Sequence, residues 1–321
     1  MPIYTDVFLI NEVHALQQDG EWPATAYVPP PQEAVWFGGG ISESSVDRLT
    51  ISTDTNTASA RGPLSAAARY VVATGNTTNG WFTGSMANQS RVERITFSSD
   101  TMVASIRGPL AGGTYGMQGA LSSSTSAYIA GGVMGSSVVN RINFATDTAT
   151  ATLVGPLSIS VGTGAGVSDT TTFGWFGGGL TMSPFASRST INRITYASDT
   201  STTSSRGPLS VGRYRFAASF NSSFGWFTGG LIVSSPNSSI VDRLTYSNDT
   251  TVAATRGSLD SIRYDHAAGG NSSAGYLGGG GVPSTTSSVT RITYATDTAT
   301  SVIVGPRSNA SQQIGGTSGV Y

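Results

Sequence analysis

Few residues of this chain could do acid–base or metal chemistry. It has 321 residues, no cysteine, and only two histidines, His14 and His266. The lack of cysteine excludes disulfides, thiolate zinc sites and a cysteine nucleophile. A metal centre would need oxygen ligands, and no calcium-loop spacing occurs in the sequence. We therefore predict that the protein uses no metal and no cofactor.

Catalysis of the Ser/His/Asp type would depend on His266, in the stretch DHAAGG. A packed or channel-lining histidine is the commoner role for such a residue. Paired carboxylates stay open as an alternative, because Asp and Glu are few but scattered. Glycine-rich stretches such as GWFGGG match neither of the two phosphate-binding spacings, GxGxxG and GxxxxGK followed by Ser or Thr. The sequence therefore favours a protein that is not an enzyme.

One eight-residue phrase occurs six times, as RLTISTDT at 48–55 and RITYATDT at 291–298, for example. Six equal Arg/Asp sets suit a scaffold better than catalysis, which needs one asymmetric constellation. A ring of six ion sites is the alternative. We interpret each Asp as a cap of its own turn and each Arg as a donor to neighbouring carbonyls. The residues are Arg48 and Asp54, Arg94 and Asp100, Arg141 and Asp147, Arg193 and Asp199, Arg243 and Asp249, and Arg291 and Asp297.

The phrase recurs every 46 to 52 residues, which is the period of a propeller blade. Each unit holds four short stretches that are β-branched or aromatic and are bounded by Gly, Pro, Asn or Asp, as expected of strands. A Val or Ile precedes the Arg by two positions, and both faces of that strand carry apolar residues, as a sheet between two neighbours requires. We therefore predict six β-propeller blades, with repeats that start near residues 35, 80, 127, 174, 225 and 275.

The apolar runs that end in glycines (VWFGGG, GWFTGG), the tyrosines Tyr196, Tyr246 and Tyr294, and RYDH at 263–266 resemble the Kelch-repeat family over residues 35–321. The resemblance implies an all-β, six-bladed Kelch-like β-propeller with four antiparallel strands per blade. It also implies that the inner strand precedes the glycine-rich strand. We therefore expect residues 309–321 to supply the inner strand of the blade that begins at Val35, which closes the ring.

The units differ most between the glycine-rich strand and the Arg strand. This connection lengthens to LTMSPFASRST at 180–190 and LIVSSPNSS at 231–239. Insertions in a repeat array fall on one face, often the binding face. We predict a contact surface for another protein or a glycan, formed by Met182, Phe185, Ile232 and Val233.

Residues 1–34 have no counterpart in the repeats. The stretch YTDVFLINEV has strand character, and AYVPPPQE is typical of a polyproline II spacer. We interpret 1–34 as an attachment arm that docks on a partner; the alternative is that it lies along its own propeller. The attachment residues are Val7, Phe8, Leu9, Ile10, Tyr27 and Val28.

The composition limits which partners and which location we expect for the protein. The net charge is -1, charged residues are 11%, and all 17 Lys+Arg residues are arginine. We therefore expect no nucleic-acid partner. The stretch MPIYTDVFLINEVHALQQDGEW has no basic region and only a very short apolar run, so we expect no secretory signal. No apolar run approaches the roughly 20 residues that span a bilayer, so we expect no membrane insertion.

The Ser/Thr/Gly-rich blades resemble structural proteins of tailed bacteriophages. This implies a non-enzymatic tail fibre, appendage or capsid decoration, extracellular after host lysis. Its partners would be other virion proteins through residues 1–34 and a host surface glycan or protein, with a homo-oligomer left open. The main alternative is a lectin-like Kelch propeller of cellular origin; a propeller hydrolase or lyase is the weakest.

Overall fold

A computed structural model describes residues 33–84, 90–112, 119–132, 135–162, 164–233, 237–282 and 284–319. The attachment arm and its residues, apart from 33 and 34, lie outside the described residues. Six four-stranded antiparallel sheets and one two-stranded hairpin account for the strands of this part of the chain.

The strands follow the four-part repeat of the sequence, and short bulky or β-branched stretches form them. In chain order through the first three blades they are β1 (Ala34–Gly38), β2 (Val46–Thr50), β3 (Ser59–Arg61), β4 (Val72–Gly75), β5 (Asn79–Thr83), β6 (Val92–Thr96), β7 (Ser105–Ile106), β8 (Gly119–Ser122), β9 (Ser126–Ala130), β10 (Val139–Asn143) and β11 (Thr152–Leu153). The remaining strands are β12 (Ala165–Ser168), β13 (Phe173–Met182), β14 (Phe185–Thr195), β15 (Ser204–Arg206), β16 (Ala217–Phe220), β17 (Phe224–Thr228), β18 (Val241–Thr245), β19 (Ala254–Thr255), β20 (Ala267–Gly270), β21 (Ala274–Gly278), β22 (Gly281–Val282), β23 (Ser284–Thr285), β24 (Val289–Thr293), β25 (Val302–Ile303) and β26 (Gly315–Ser318).

Each sheet is one blade, and the blades form a closed ring. The innermost strands β26, β4, β8, β12, β16 and β20 contact one another in that order, and β20 contacts β26. The prediction of an all-β, six-bladed propeller with four antiparallel strands per blade is therefore confirmed. In the described residues, no helix is long and apolar enough to cross a membrane.

The first blade combines the two ends of the described chain. Its order is β26-β1-β2-β3, so its inner strand comes from the C-terminal region. Val35 pairs with Ser318 and Gly38 with Gly315 in antiparallel register. A strand from one end of the chain therefore completes the sheet that begins at the other end, and β1 has no open edge.

Apolar side chains lie between the blades. Residues alternate between the two faces of a strand, and in the first blade Trp36 and Val46 pack toward the second blade. Val35, Phe37 and Leu49 pack toward the sixth. Each of the other four blade junctions has a similar buried cluster. The second and third strands of each sheet are thus packed on both faces.

Two faces of the ring follow from the strand directions. We count the four strands of each blade outward from the axis, and we call the face on which every inner strand begins the top face. The hairpins between the second and third strands turn on the same face. On the opposite face a single 3-10 turn follows each third strand, and the phrase Asp ends that turn, as Asp54 does after Ile51–Thr53. The repeated Asp residues and the variable hairpins therefore lie on different faces of the propeller.

Candidate functional site

The repeated Arg and Asp join neighbouring blades. Asp100 of the second blade accepts hydrogen bonds through Oδ2 from Trp36 Nε1 at 2.8 Å and from Arg48 Nη1 at 3.2 Å. Both donors belong to the first blade. Arg61 of the same blade places Nε 3.5 Å from that oxygen. We call this inter-blade set of an Asp, an Arg and an aromatic donor a clasp.

The clasp recurs at every junction of the ring. The ion pairs run from the Arg of one blade to the Asp of the next, at 3.0 Å for Arg94 and Asp147, 2.7 Å for Arg141 and Asp199, 3.0 Å for Arg193 and Asp249, 3.0 Å for Arg243 and Asp297, and 2.6 Å for Arg291 and Asp54. The structure therefore brings the twelve predicted residues together as six Arg/Asp pairs, each across a blade boundary.

These partners differ from those predicted. We expected each Asp to cap its own turn and each Arg to donate to carbonyls. Instead, the Asp carboxylate accepts hydrogen bonds from side chains of the preceding blade, as Asp147 does from Trp81 Nε1 at 2.9 Å. The reason is geometric, because the end of the third strand and its 3-10 turn face the preceding blade across the packed junction.

Two of the six clasps use tyrosine in place of tryptophan. Tyr128 donates to Asp199 at 3.0 Å, and Tyr276 donates to Asp54 at 3.1 Å. Burial and then the charge of Asp54 raise the pKa of Tyr276 to about 12, so its hydroxyl stays protonated and donates. In these two blades the outer-strand arginine is also replaced, by Val154 and Val304.

The glycine of the Gly-Pro motif belongs to the same junction. Gly155 N–H donates to the backbone carbonyl of Asp199 at 2.7 Å. A Cβ on Gly155 would overlap the carbonyl oxygen of Ser201, so any larger residue would push the blades apart. Corresponding glycines meet the next blade in the same way at the other five junctions: Gly62, Gly108, Gly207, Gly257 and Gly305. The motif is therefore explained by packing.

The top face carries the irregular elements. Strands β13 and β14 extend the fourth blade into a long hairpin around Ser183 and Pro184. Of the four residues that we predicted to form a contact surface, Phe185 is 58% exposed and Met182 39% exposed at its tip. Arg188 Nε donates to Thr181 Oγ1 at 3.1 Å and ties the two strands together. A groove of about 350 Å³ lies beside the tip, lined by Met182 and Arg188 among others.

The second predicted loop is less exposed. Ile232 and Val233 are both partly buried, and residues 234–236 lie outside the described residues. Val233 N–H donates to Ser187 Oγ of the neighbouring hairpin at 3.4 Å. The structure therefore brings the two predicted loops together, but exposed apolar side chains are contributed by the hairpin of the fourth blade.

A second irregular set surrounds the top end of the central channel, and the sequence analysis weighed the role of only one of its residues, His266, as a packed or channel-lining histidine. Four residues, each two positions before an inner strand, have left-handed backbone conformations: Tyr70, Arg215, Asp265 and Gln313. Asp265 N–H donates to Arg215 O at 2.9 Å, Gln313 N–H to Asp265 O at 2.8 Å, and Tyr70 N–H to Gln313 O at 2.9 Å. Corresponding positions in the other two blades lie outside the described residues. We call these four residues and His266 the channel mouth.

The side chains of the channel mouth contact one another across the axis. Arg215 Nη1 donates to Asp265 Oδ2 at 3.3 Å, and its Nη2 donates to Tyr70 OH at 3.3 Å. Burial raises the pKa of Asp265 to about 6, while Arg215 and a hydrogen bond from Gln313 oppose the shift. Together with His266 they line a cavity of about 60 Å³.

His266 is buried and neutral, and its ring contacts Thr228. Its Nε2 lies 3.0 Å from Thr228 Oγ1, and the Thr228 hydroxyl donates its own proton to Ala217 O at 3.0 Å. With the Thr228 hydroxyl donating to Ala217 O, this contact is made by the tautomer that carries its proton on Nε2. Burial, and then the charges of Arg263 and Arg213, hold the pKa of His266 well below its usual value. In the described part of the chain, Nδ1 has no hydrogen-bond partner.

Two fully buried arginines hold the top ends of the fifth and sixth blades. Arg213 donates to Asp242 at 2.7 Å and to the Ile240 carbonyl at 2.8 Å. Arg263, of the RYDH stretch, donates to the carbonyls of Gly279 and Ser288, both at 3.0 Å. These donors fix each inner strand to the end of the neighbouring hairpin, and so position Arg215, Asp265 and His266. The described residues contain no group of three or more acidic or histidine side chains that could hold a metal ion.

No family model and no curated protein matches this chain. Among solved structures it is similar to that of YjhT, with a TM-score of 0.61 and 9% sequence identity over 76% of this chain and 85% of YjhT. At that identity the likeness concerns the fold. The chain is a six-bladed β-propeller.

Proposed function

We propose that the protein is a non-enzymatic structural and adhesion component of a phage virion: a tail fibre, an appendage or a capsid decoration. Residues 1–34 attach it to other virion proteins, and the top face contacts the host surface or neighbouring subunits. The observation that carries the adhesive role is the hairpin of the fourth blade, whose tip exposes Phe185 and Met182.

A structural role for the repeated residues also supports this proposal. The six phrase carboxylates are occupied by inter-blade donors, and each is at most 9% exposed at its side chain. Groups held in this way shape the ring and leave recognition to the irregular top face. A large exposed aromatic beside a groove is typical of a residue that anchors a protein contact.

Two experiments test the proposal. Mass spectrometry and immunogold labelling of purified virions should detect the protein on the particle; its absence from particles would contradict the virion role. The adhesive role is tested with fluorescently labelled full-length protein on intact susceptible cells.

For the cell experiment, F185S combined with M182S should lower binding by about tenfold, the effect of losing roughly 1.4 kcal/mol of contact energy. The matched control is I106S, which removes an apolar side chain that is 66% exposed on the outer strand of the second blade. Unchanged binding by the double variant, or an equal loss in I106S, would refute the hairpin as the contact surface.

A further inference from the structure

The groove beside the hairpin of the fourth blade contains a positive charge that no acidic neighbour balances. Arg188 lines this groove and is partly buried. Apart from Arg188 and the exposed Arg69, every arginine of the described residues forms an ion pair with an acidic side chain there. In that part of the chain, none of the residues that line the groove is acidic. The guanidinium of Arg188 can therefore pair with a carboxylate of another molecule.

The hairpin itself fixes this guanidinium in place. Arg188 Nε donates to Thr181 Oγ1 at 3.1 Å, and Thr181 is 6% exposed. The Thr181 hydroxyl in turn donates to the Pro184 carbonyl at 2.7 Å. Because the hairpin turn holds Thr181, the orientation of Arg188 is set before any partner binds.

The two terminal nitrogens of Arg188 are accessible. Among the described residues, neither Nη1 nor Nη2 has a hydrogen-bond partner. Neither of them belongs to the buried side-chain atoms that lack a partner in this part of the chain, so both are open to solvent. Their parallel N–H groups match the two oxygens of a carboxylate, and such bidentate pairs are stronger than neutral hydrogen bonds.

The other residues of the groove favour a protein partner over a sugar or a free anion. Met182, which is 39% exposed, and Ile159, which is partly buried, form its apolar part. Methionine adapts its shape to different apolar side chains and is common on surfaces that bind several partners. The hydroxyls of Ser160 and Ser183 also line the groove, and each can donate to or accept from a peptide backbone. A peptide carboxylate with apolar neighbours matches all of these groups.

We infer that this groove binds a short acidic segment of a partner protein, in which an Asp or Glu flanked by apolar residues pairs with Nη1 and Nη2 of Arg188. The apolar neighbours of that carboxylate pack on Met182 and Ile159. The groove has a volume of about 350 Å³, at the lower end of the roughly 300–1,000 Å³ of typical binding pockets, so it accommodates a few side chains. This inference rests on the proposed function, because it names the class of partner that the hairpin surface contacts.

The test uses the full-length protein with three probes: acetyl-Leu-Asp-Leu-amide, acetyl-Leu-Asn-Leu-amide and D-glucuronate. The ¹³C-methyl resonance of Met182, assigned with M182L, reports binding in NMR titrations. We expect the aspartate peptide to bind about tenfold more tightly than the asparagine peptide, because it alone forms the charged pair. Its affinity should fall as salt is added, since salt screens a pair that is open to solvent.

Variants locate the charge that the peptide recognises. R188Q should lower the affinity for the aspartate peptide about tenfold and leave that for the asparagine peptide unchanged. R188K keeps the charge but not the parallel N–H groups, so its loss should be smaller. R69Q is the matched control, because it removes an exposed arginine outside the groove and should change neither affinity. The comparison of the two peptides needs no variant, so it decides even if R188Q is unstable.

The inference is overturned if the two peptides bind equally, if R69Q has the same effect as R188Q, or if D-glucuronate binds more tightly than the aspartate peptide. Failure of the peptides, together with a loss of cell binding in F185S combined with M182S, would refute this inference and leave the adhesive proposal intact. Selective binding of the aspartate peptide, with no loss of cell binding in that double variant, would support the groove site and refute the hairpin as the host contact.

Discussion

Arg291 Nη1 donates to Asp54 Oδ2 at 2.6 Å across 237 residues of sequence, and this ion pair joins the sixth blade to the first. It is the same clasp that joins every other pair of neighbouring blades. The junction between the sixth and first blades is therefore built from the same residue types as the junction between the third and fourth, where Tyr128 has the place of Tyr276. Ring closure needs no special residue at this position, only the sixth copy of the phrase.

Removing one partner of the closing clasp should destabilise the protein. D54N deprives Arg291 and Tyr276 of a charged acceptor, and we expect a loss of about 1–3 kcal/mol in the free energy of unfolding. R243A removes the partner of Asp297, so it should also lower the free energy of unfolding. It should leave binding to susceptible cells unchanged. Urea unfolding followed by tryptophan fluorescence measures both free energies.

The pairing itself is tested by a double-mutant cycle of D54N and R291M. We expect a coupling energy of about 0.5–1 kcal/mol, since the side chain of Arg291 is 36% exposed and solvent weakens the pair. E33Q is the control, because Glu33 is exposed. Additive losses in the cycle would show that the two residues do not act together.

Alanine at the Gly-Pro motif should be destabilising through packing alone. G207A would place a Cβ against the carbonyl oxygen of Thr251 in the next blade. We expect a loss of about 1–3 kcal/mol, the usual effect of overpacking. S205A, on the exposed outer strand two positions earlier, is the matched control. A melting temperature equal to that of the wild type in G207A would contradict the close approach of the blades.

The periodicity predicted the fold, but not which residues of different repeats meet. Arg48 and Asp54 are six positions apart in one phrase, yet Arg48 pairs with Asp100 of the next copy. A repeat pattern shows that units are alike and carries no information about contacts between them. One available signal was the substitution pattern, because the blades with Tyr128 and Tyr276 are also those that lack the outer-strand arginine.

The channel mouth was beyond sequence analysis for a different reason. Its residues differ in every blade, as Tyr70, Arg215 and Gln313 illustrate, and their left-handed conformation follows from ring geometry and not from residue type. Only glycine, and to a lesser extent Asn or Asp, signals such a conformation in a sequence. The side chains meet because six inner strands converge on one axis.

The titration of Asp265 should make stability depend on pH in an unusual direction. Burial raises its pKa from 3.8 to about 6 in the folded protein. Between about pH 4 and pH 6 the folded state therefore binds more protons at this residue than the unfolded state does. The contribution of Asp265 to the free energy of unfolding falls as the pH rises through this window, by on the order of 2 kcal/mol.

This effect is isolated by comparing the wild type with D265N, which mimics the protonated form at every pH. The unfolding free energy of the wild type minus that of D265N should be smaller at pH 7 than at pH 4. R215M removes the neighbouring positive charge and should raise the NMR titration midpoint of Asp265 further. A midpoint near 4 in the wild type would show that the carboxyl is not held in a desolvated position.

Deletion of the closing strand should abolish cooperative unfolding. Without residues 314–321, β1 would lose its hydrogen-bonded neighbour β26, and the junctions with β4 and β20 would open at the axis. The buried Phe37 and Val35 would become accessible to water at an exposed strand edge. We expect circular dichroism and tryptophan fluorescence to give separate transitions, whereas the full chain should give coincident ones. A matched I314A variant keeps the strand and removes one buried side chain, so it should lower stability and preserve a single transition. Coincident transitions in the truncated chain, at the same urea midpoint as the full chain, would mean that the ring does not depend on β26.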